Sequence, residues 1–74
     1  MTQWGSCRGR DLLEALRRAG WVTDRQRGSH RVLEREGWPR YVFAFADNDE
    51  IGPRMLARIA KRTGLEQHHF KGKT

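Results

Sequence analysis

This chain of 74 residues has one cysteine, two prolines and one tyrosine. With Cys7 as its single thiol it has no internal disulfide. Small secreted domains of this length are usually held by bridges, so a reducing, cytoplasmic setting is expected. Apolar runs are short as well. None reaches transmembrane length, and the first 20 residues carry charges throughout, so neither a membrane span nor a signal peptide is expected. Cys7, His30, His68 and His69 lack the paired spacing of a zinc site, and no metal or other cofactor is expected. Acids are scarce: 9 Asp and Glu stand against 15 Lys and Arg, for a net charge of +6.

Length narrows the field further. A chain this short is one domain and buries only about 60% of the surface of its unfolded state. A dinucleotide fold, a barrel or a deep substrate cavity is excluded. Any activity must lie on an exposed face or in a shallow groove. The basic balance, rich in Arg, suits phosphate and favours a polyanionic partner, either nucleic acid or an acidic protein.

Hydrophobic spacing orders the elements. Residues 1–8 read as a tail. Leu12, Leu13, Leu16 and Ala19 recur at helical spacing over residues 10–19, with Gly20 as the stop. Residues 21–25 and 29–35 have strand composition and are joined by a turn at 26–28, where Gly28 permits positive φ. A second turn at 36–39 leads to a strand at 40–45, with Tyr41, Phe43 and Phe45 facing inward. Residues 46–51 read as a polar loop. Pro53 opens a second helix, Met55, Leu56, Ile59 and Ala60 form its apolar stripe, and Gly64 closes it. Residues 66–70 are expected to dock and 71–74 to be disordered. The predicted class is α+β: an α-β-β-β-α order, two helices on one face of a three-stranded antiparallel sheet, as in the double-stranded-RNA-binding fold.

Two features carry chemistry. Gly28-Ser29-His30 places an imidazole just beyond a tight turn, beside Arg25, Arg27 and Arg31. RNA cleavage needs that combination: a base for the 2′-hydroxyl proton, and positive charge on the phosphate as it becomes pentacovalent. The bland reading is an ordinary exposed strand histidine. Ser29 is not read as a nucleophile, because neighbouring strand residues point to opposite faces. The second feature is a cationic face on the second helix, formed by Arg54, Arg58, Lys61 and Arg62 without an intervening acid. It suits phosphate tracking, or an acidic partner, better than a merely solvated face. Trp21 and Trp38 read as packing residues rather than base-stacking platforms. Asp47, Asp49 and Glu50 precede the second helix, where negative charge suits the helix dipole.

The run Gly9-Arg10-Asp11-Leu12-Leu13, then Leu16-Arg17-Arg18-Ala19-Gly20-Trp21, then Arg25-Gln26-Arg27-Gly28-Ser29-His30-Arg31 resembles the HicA toxin family. Ile51-Gly52-Pro53, Leu56-Ala57-Arg58-Ile59-Ala60-Lys61 and Gly64-Leu65 look like that family's last helix. The likeness covers about residues 9 to 66. It implies a double-stranded-RNA-binding-like fold and ribosome-independent cleavage of mRNA without a metal. It further implies that His30 is catalytic and that a HicB-like antitoxin covers the active site. Many relatives carry a histidine at the end of the third strand or just after it. Ala46 stands here instead, which marks it as a candidate altered active-site position. The expected function is thus an mRNA endoribonuclease toxin. The alternative is an RNA-binding domain of the same fold without chemistry, and a third reading is a basic face that docks an acidic partner.

Overall fold

The computed structural model describes residues 4–28 and 30–70. The expectations for residues 1–3 and 71–74, and for Ser29, lie outside the described residues. Helix α1 spans Gly9–Arg18 and buries Leu12, Leu13, Ala15 and Leu16 on one stripe. Its opposite flank is solvent-exposed and carries a Glu14–Arg18 pair at 3.5 Å. Among the described residues, no side chain caps its start. The Gly9 N–H donates to the Asp49 carbonyl at 2.8 Å and the Arg10 N–H to the Asp47 carbonyl at 3.2 Å. These bonds satisfy two of the orphan donors of a helix start with backbone from the loop after the sheet. Glycine is required at position 9, because an added Cβ would run into the Ala46 carbonyl.

The main sheet is antiparallel, with strands β2 (Val22–Arg27), β3 (His30–Glu34) and β4 (Tyr41–Phe43) in that order, preceded in the chain by a two-residue strand β1 (Cys7–Arg8). Gly28, at φ 58°, makes the β2–β3 turn possible. Leu33 and Phe43 point into the core, Tyr41 and Phe45 are half-buried against it, and Val42 is exposed. Aromatic positions on alternate residues of this segment therefore face the helices, as their bulk predicts.

Helix α2 (Pro53–Thr63) follows a second two-residue strand, β5 (Glu50–Ile51). Pro53 sits in its first turn, and Gly64 ends it in the left-handed conformation at φ 72°, its N–H bonded to the Ala60 carbonyl at 2.8 Å. Leu65, buried, completes that ending. Leu56 and Ile59 meet the α1 stripe, Trp21, Leu33 and Phe43 in one hydrophobic core. The architecture is α+β, two helices with a three-stranded antiparallel sheet.

Four local expectations need correction. The turn expected at 26–28 is tighter, because Gln26 and Arg27 still pair with Arg31 and His30 as part of β2. The segment before α1 is not a tail throughout: Cys7 and Arg8 pair with Ile51 and Glu50, and Trp4 packs edge-on against Phe70 at 6.2 Å. For the same reason residues 46–51 are not all loop. Strands this short carry no periodicity, so nothing in the amino-acid pattern announces them. Met55, assigned to the apolar stripe of α2, is 41% exposed, because its position turns onto the flank that carries Arg58 and Arg62.

Candidate functional site

His30 is the first residue of β3 and is exposed. Its direct partner across the hairpin is Arg27, and the next pair on the same side is Arg25 with Val32. Directly opposed residues share a face of the sheet. Val22 pairs with Glu34 and belongs to that face too. Regular alternation from Val22 would send Arg25 and Arg27 to the helix-covered side. The register shifts between Thr23 and Arg25, and this bulge reverses the alternation. Two guanidinium groups thus come to lie on the uncovered face of the sheet with the imidazole.

Arg31 does not join them. It pairs with Gln26 on one side and Phe43 on the other, and its guanidinium lies 6.0 Å from the Phe43 ring centroid. The residue beside His30 in sequence therefore faces the helix side, where it covers the edge of the core. Gly28 forms the turn. Ser29 lies outside the described residues.

The cations of α2 form a separate group. Arg54, Arg58, Lys61 and Arg62 are all exposed. They lie along the flank of α2 that meets the edge strand β4: Arg58 and Arg62 line a hollow with Tyr41 and Met55. Burial raises the Tyr41 phenol above its ordinary value, an effect that the positive charge of Arg62 partly offsets. Proximity in sequence to the His30 cluster and proximity in space to it are thus different properties.

Ala46 follows β4 by three residues, at the sheet end where the β3–β4 ladder closes with Arg31 opposite Phe43. It is exposed; its N–H donates to the Asp49 carboxylate at 2.8 Å and its carbonyl accepts from the Asp49 N–H at 3.1 Å. The loop that holds it also caps α1. Among the described residues, no group of three or more His, Cys, Asp or Glu gathers as metal ligands, and no helix is long and apolar enough to cross a membrane.

The arrangement offers one exposed imidazole with two guanidinium groups on an open sheet face, and a second bank of cations around the sheet edge. A family model described as the HicA toxin of bacterial toxin–antitoxin systems matches residues 9–65, most of the 74-residue chain. The chain belongs to the HicA toxin family. As a HicA protein it is the toxin of a toxin–antitoxin system, which implies an antitoxin partner, and the family is one of toxin ribonucleases. No curated protein and no solved structure matches it significantly. The matched span of this HicA chain contains the β2–β3 hairpin with His30 and the whole of α2.

Proposed function

We propose that this protein is an mRNA endoribonuclease that uses His30 as general base without a metal ion, and that a HicB-like antitoxin neutralises it by covering the open sheet face. The observation that carries the reading is the shared exposure of His30, Arg27 and Arg25 on a sheet face that no helix covers. His30 accepts the proton of a ribose 2′-hydroxyl. The 2′-oxygen attacks the adjacent phosphorus, and the bond from phosphorus to the 5′-oxygen breaks. The leaving oxygen takes a proton from solvent. The products are a 2′,3′-cyclic phosphate and a 5′-hydroxyl. A positioned base contributes about 10²–10⁴ in rate. Arg27 and Arg25 oppose the negative charge that builds on the phosphoryl oxygens, a contribution on the order of 10²–10³ for each well-placed donor in a dry site and less on an open face. Arg54, Arg58, Lys61 and Arg62 hold the backbone of the message at a distance from the bond.

Ala46 supports a second form of the reading, in which this copy binds RNA and cuts it slowly or not at all. The resemblance implies a histidine near that position in relatives, and alanine supplies neither a proton donor nor a proton acceptor. One experiment separates the two. Wild-type protein and His30→Ala are each given an unstructured RNA in EDTA, and both cleavage and affinity are measured. The endonuclease reading expects cutting by the wild type, none by the variant, and nearly equal affinity. Equal cleavage by both contradicts the role of His30. Binding without cleavage by the wild type leaves the RNA-binding form.

A further inference from the structure

Trp21 and Trp38 meet edge to face at 6.4 Å between ring centroids, yet their exposures differ sharply: 1% for Trp21 and 37% for Trp38. Trp21 is core. Trp38 is held from the protein side by the Arg35 guanidinium, 5.0 Å from its ring centroid, and keeps part of its indole in solvent. A large aromatic ring fixed in this way has little rotamer freedom left to lose on binding.

Beside it lies a cleft of about 270 Å³, lined by Trp38, Pro39, Arg40, Tyr41, Lys61 and Arg62. No acid lines it. Arg40 is anchored through Nε by Glu34 at 2.8 Å, which sets the direction of its guanidinium. The cleft does not stand alone. Tyr41 and Arg62 also border the hollow that holds Met55 and Arg58, and Arg58 borders the one that holds Arg54. The hollows thus follow the cationic flank of α2 and end on aromatic rings.

We propose that this cleft is a base-stacking subsite for one nucleotide of single-stranded RNA, engaged several nucleotides away from the bond that is cut. The proposal rests on the RNA reading given above. Its chemistry is the pairing of a π surface with cations: the base stacks on Trp38 and Tyr41 while Lys61 and Arg62 take the flanking phosphate. Every base has a π face, so the subsite tolerates any sequence. Its position supports a role in holding the strand rather than in the reaction. His30 starts β3, whereas Tyr41 of the cleft pairs with Leu33 near the other end of that strand, roughly 10 Å along it by the rise over three residues.

The test uses His30→Ala protein, which keeps its substrate whole, and a single-stranded oligonucleotide carrying photoreactive 4-thiouridine. After irradiation the crosslinked peptides are mapped by mass spectrometry, and the affinities of His30→Ala with and without Trp38→Leu are compared. The expected result is a crosslink on Trp38 or Tyr41 and a loss of roughly 5- to 150-fold in affinity with Trp38→Leu. Trp38 packs on Trp21, so circular dichroism checks the second variant; if it does not fold, the crosslink map on the otherwise unaltered chain decides alone. Tight binding with crosslinks only elsewhere overturns the subsite while the RNA reading stands. Failure of the His30→Ala protein to bind any RNA overturns both.

Discussion

Arg27 lies directly opposite His30 in the last pair of the β2–β3 ladder, whereas Arg31, the sequence neighbour of His30, lies over the ring of Phe43 on the other side of the sheet. The two arginines should therefore differ in effect. Arg27→Ala is expected to slow RNA cleavage by about 10- to 100-fold, below the ceiling for a fully enclosed donor, and to leave the melting temperature unchanged. Arg31→Ala is expected to cost about 0.5–1 kcal/mol of stability through the lost cation–π contact, with little effect on cleavage. Single-turnover cleavage and thermal melting of the two variants measure both effects.

The α2 cations make a different prediction. Replacing Arg54 and Arg58 by Glu should weaken RNA binding and reduce its dependence on salt. Each phosphate contact to a single strand contributes about −0.7 to the slope of log K against log salt, so losing two contacts flattens the slope by about 1.4. Affinity measured across a salt series reads this directly. An unchanged slope assigns the face to another partner.

A stability prediction concerns the C-terminus of α2. The Thr63 carbonyl accepts from Trp21 Nε1 and from Arg35 Nη1, each at 2.9 Å, and so ties the helix end to both strands at the open end of the hairpin. Gly64 follows at φ 72°, where an added Cβ would lie 2.6 Å from a Trp38 ring carbon and 2.8 Å from Arg35 Nη1. Gly64→Ala combines backbone strain with a steric clash and is expected to cost about 2–4 kcal/mol. Gly37→Ala serves as the comparison. Its φ is 86° with nothing near the added atom, so strain alone applies, about 1–2 kcal/mol. Urea denaturation of both variants gives the difference.

These contrasts show which parts of the molecule were legible in the amino-acid pattern. Both helices and the glycines that end or turn them follow from periodicity and from residues with special backbone freedom; alternation leaves the buried side of the 41–45 segment open, and the bulk of Tyr41, Phe43 and Phe45 decides it. Two features had no such signal. The β1–β5 pairing joins two-residue strands, Cys7 with Ile51 and Arg8 with Glu50, too short for any alternation to show. The bulge next to Asp24 is equally silent in sequence, yet it decides whether Arg25 and Arg27 reach the face of His30. The side taken by Arg31 was legible, since alternation along residues 29–35 puts it on the face of the sheet away from His30. The Trp38–Tyr41 cleft was not legible: Trp38 reads as a packing residue in sequence, and only the fold brings Lys61 and Arg62 beside it.

Tyr41 provides a pH test. It is the single tyrosine of the chain, so an ultraviolet absorbance titration reports it alone. Burial favours the neutral phenol and raises its midpoint above the ordinary 10.0, while Arg62 pulls it back. A raised folded-state value means that the neutral phenol contributes stability fully below pH 10.0, and that this contribution is lost as pH rises through the raised midpoint. Arg62→Gln is expected to move the midpoint further up. A midpoint at or below 10.0 contradicts the half-buried placement of the ring.

The most direct measurement is the chemistry of the ends left on a cut RNA. A histidine that removes the 2′-hydroxyl proton leaves a 2′,3′-cyclic phosphate, or the monophosphate formed when it opens, and a 5′-hydroxyl. Mass spectrometry of fragments from the wild-type protein is expected to find those ends, and His30→Ala is expected to yield no fragments. Fragments ending in a 3′-hydroxyl and a 5′-phosphate, or equal cutting of a 2′-deoxy substrate, would contradict the account.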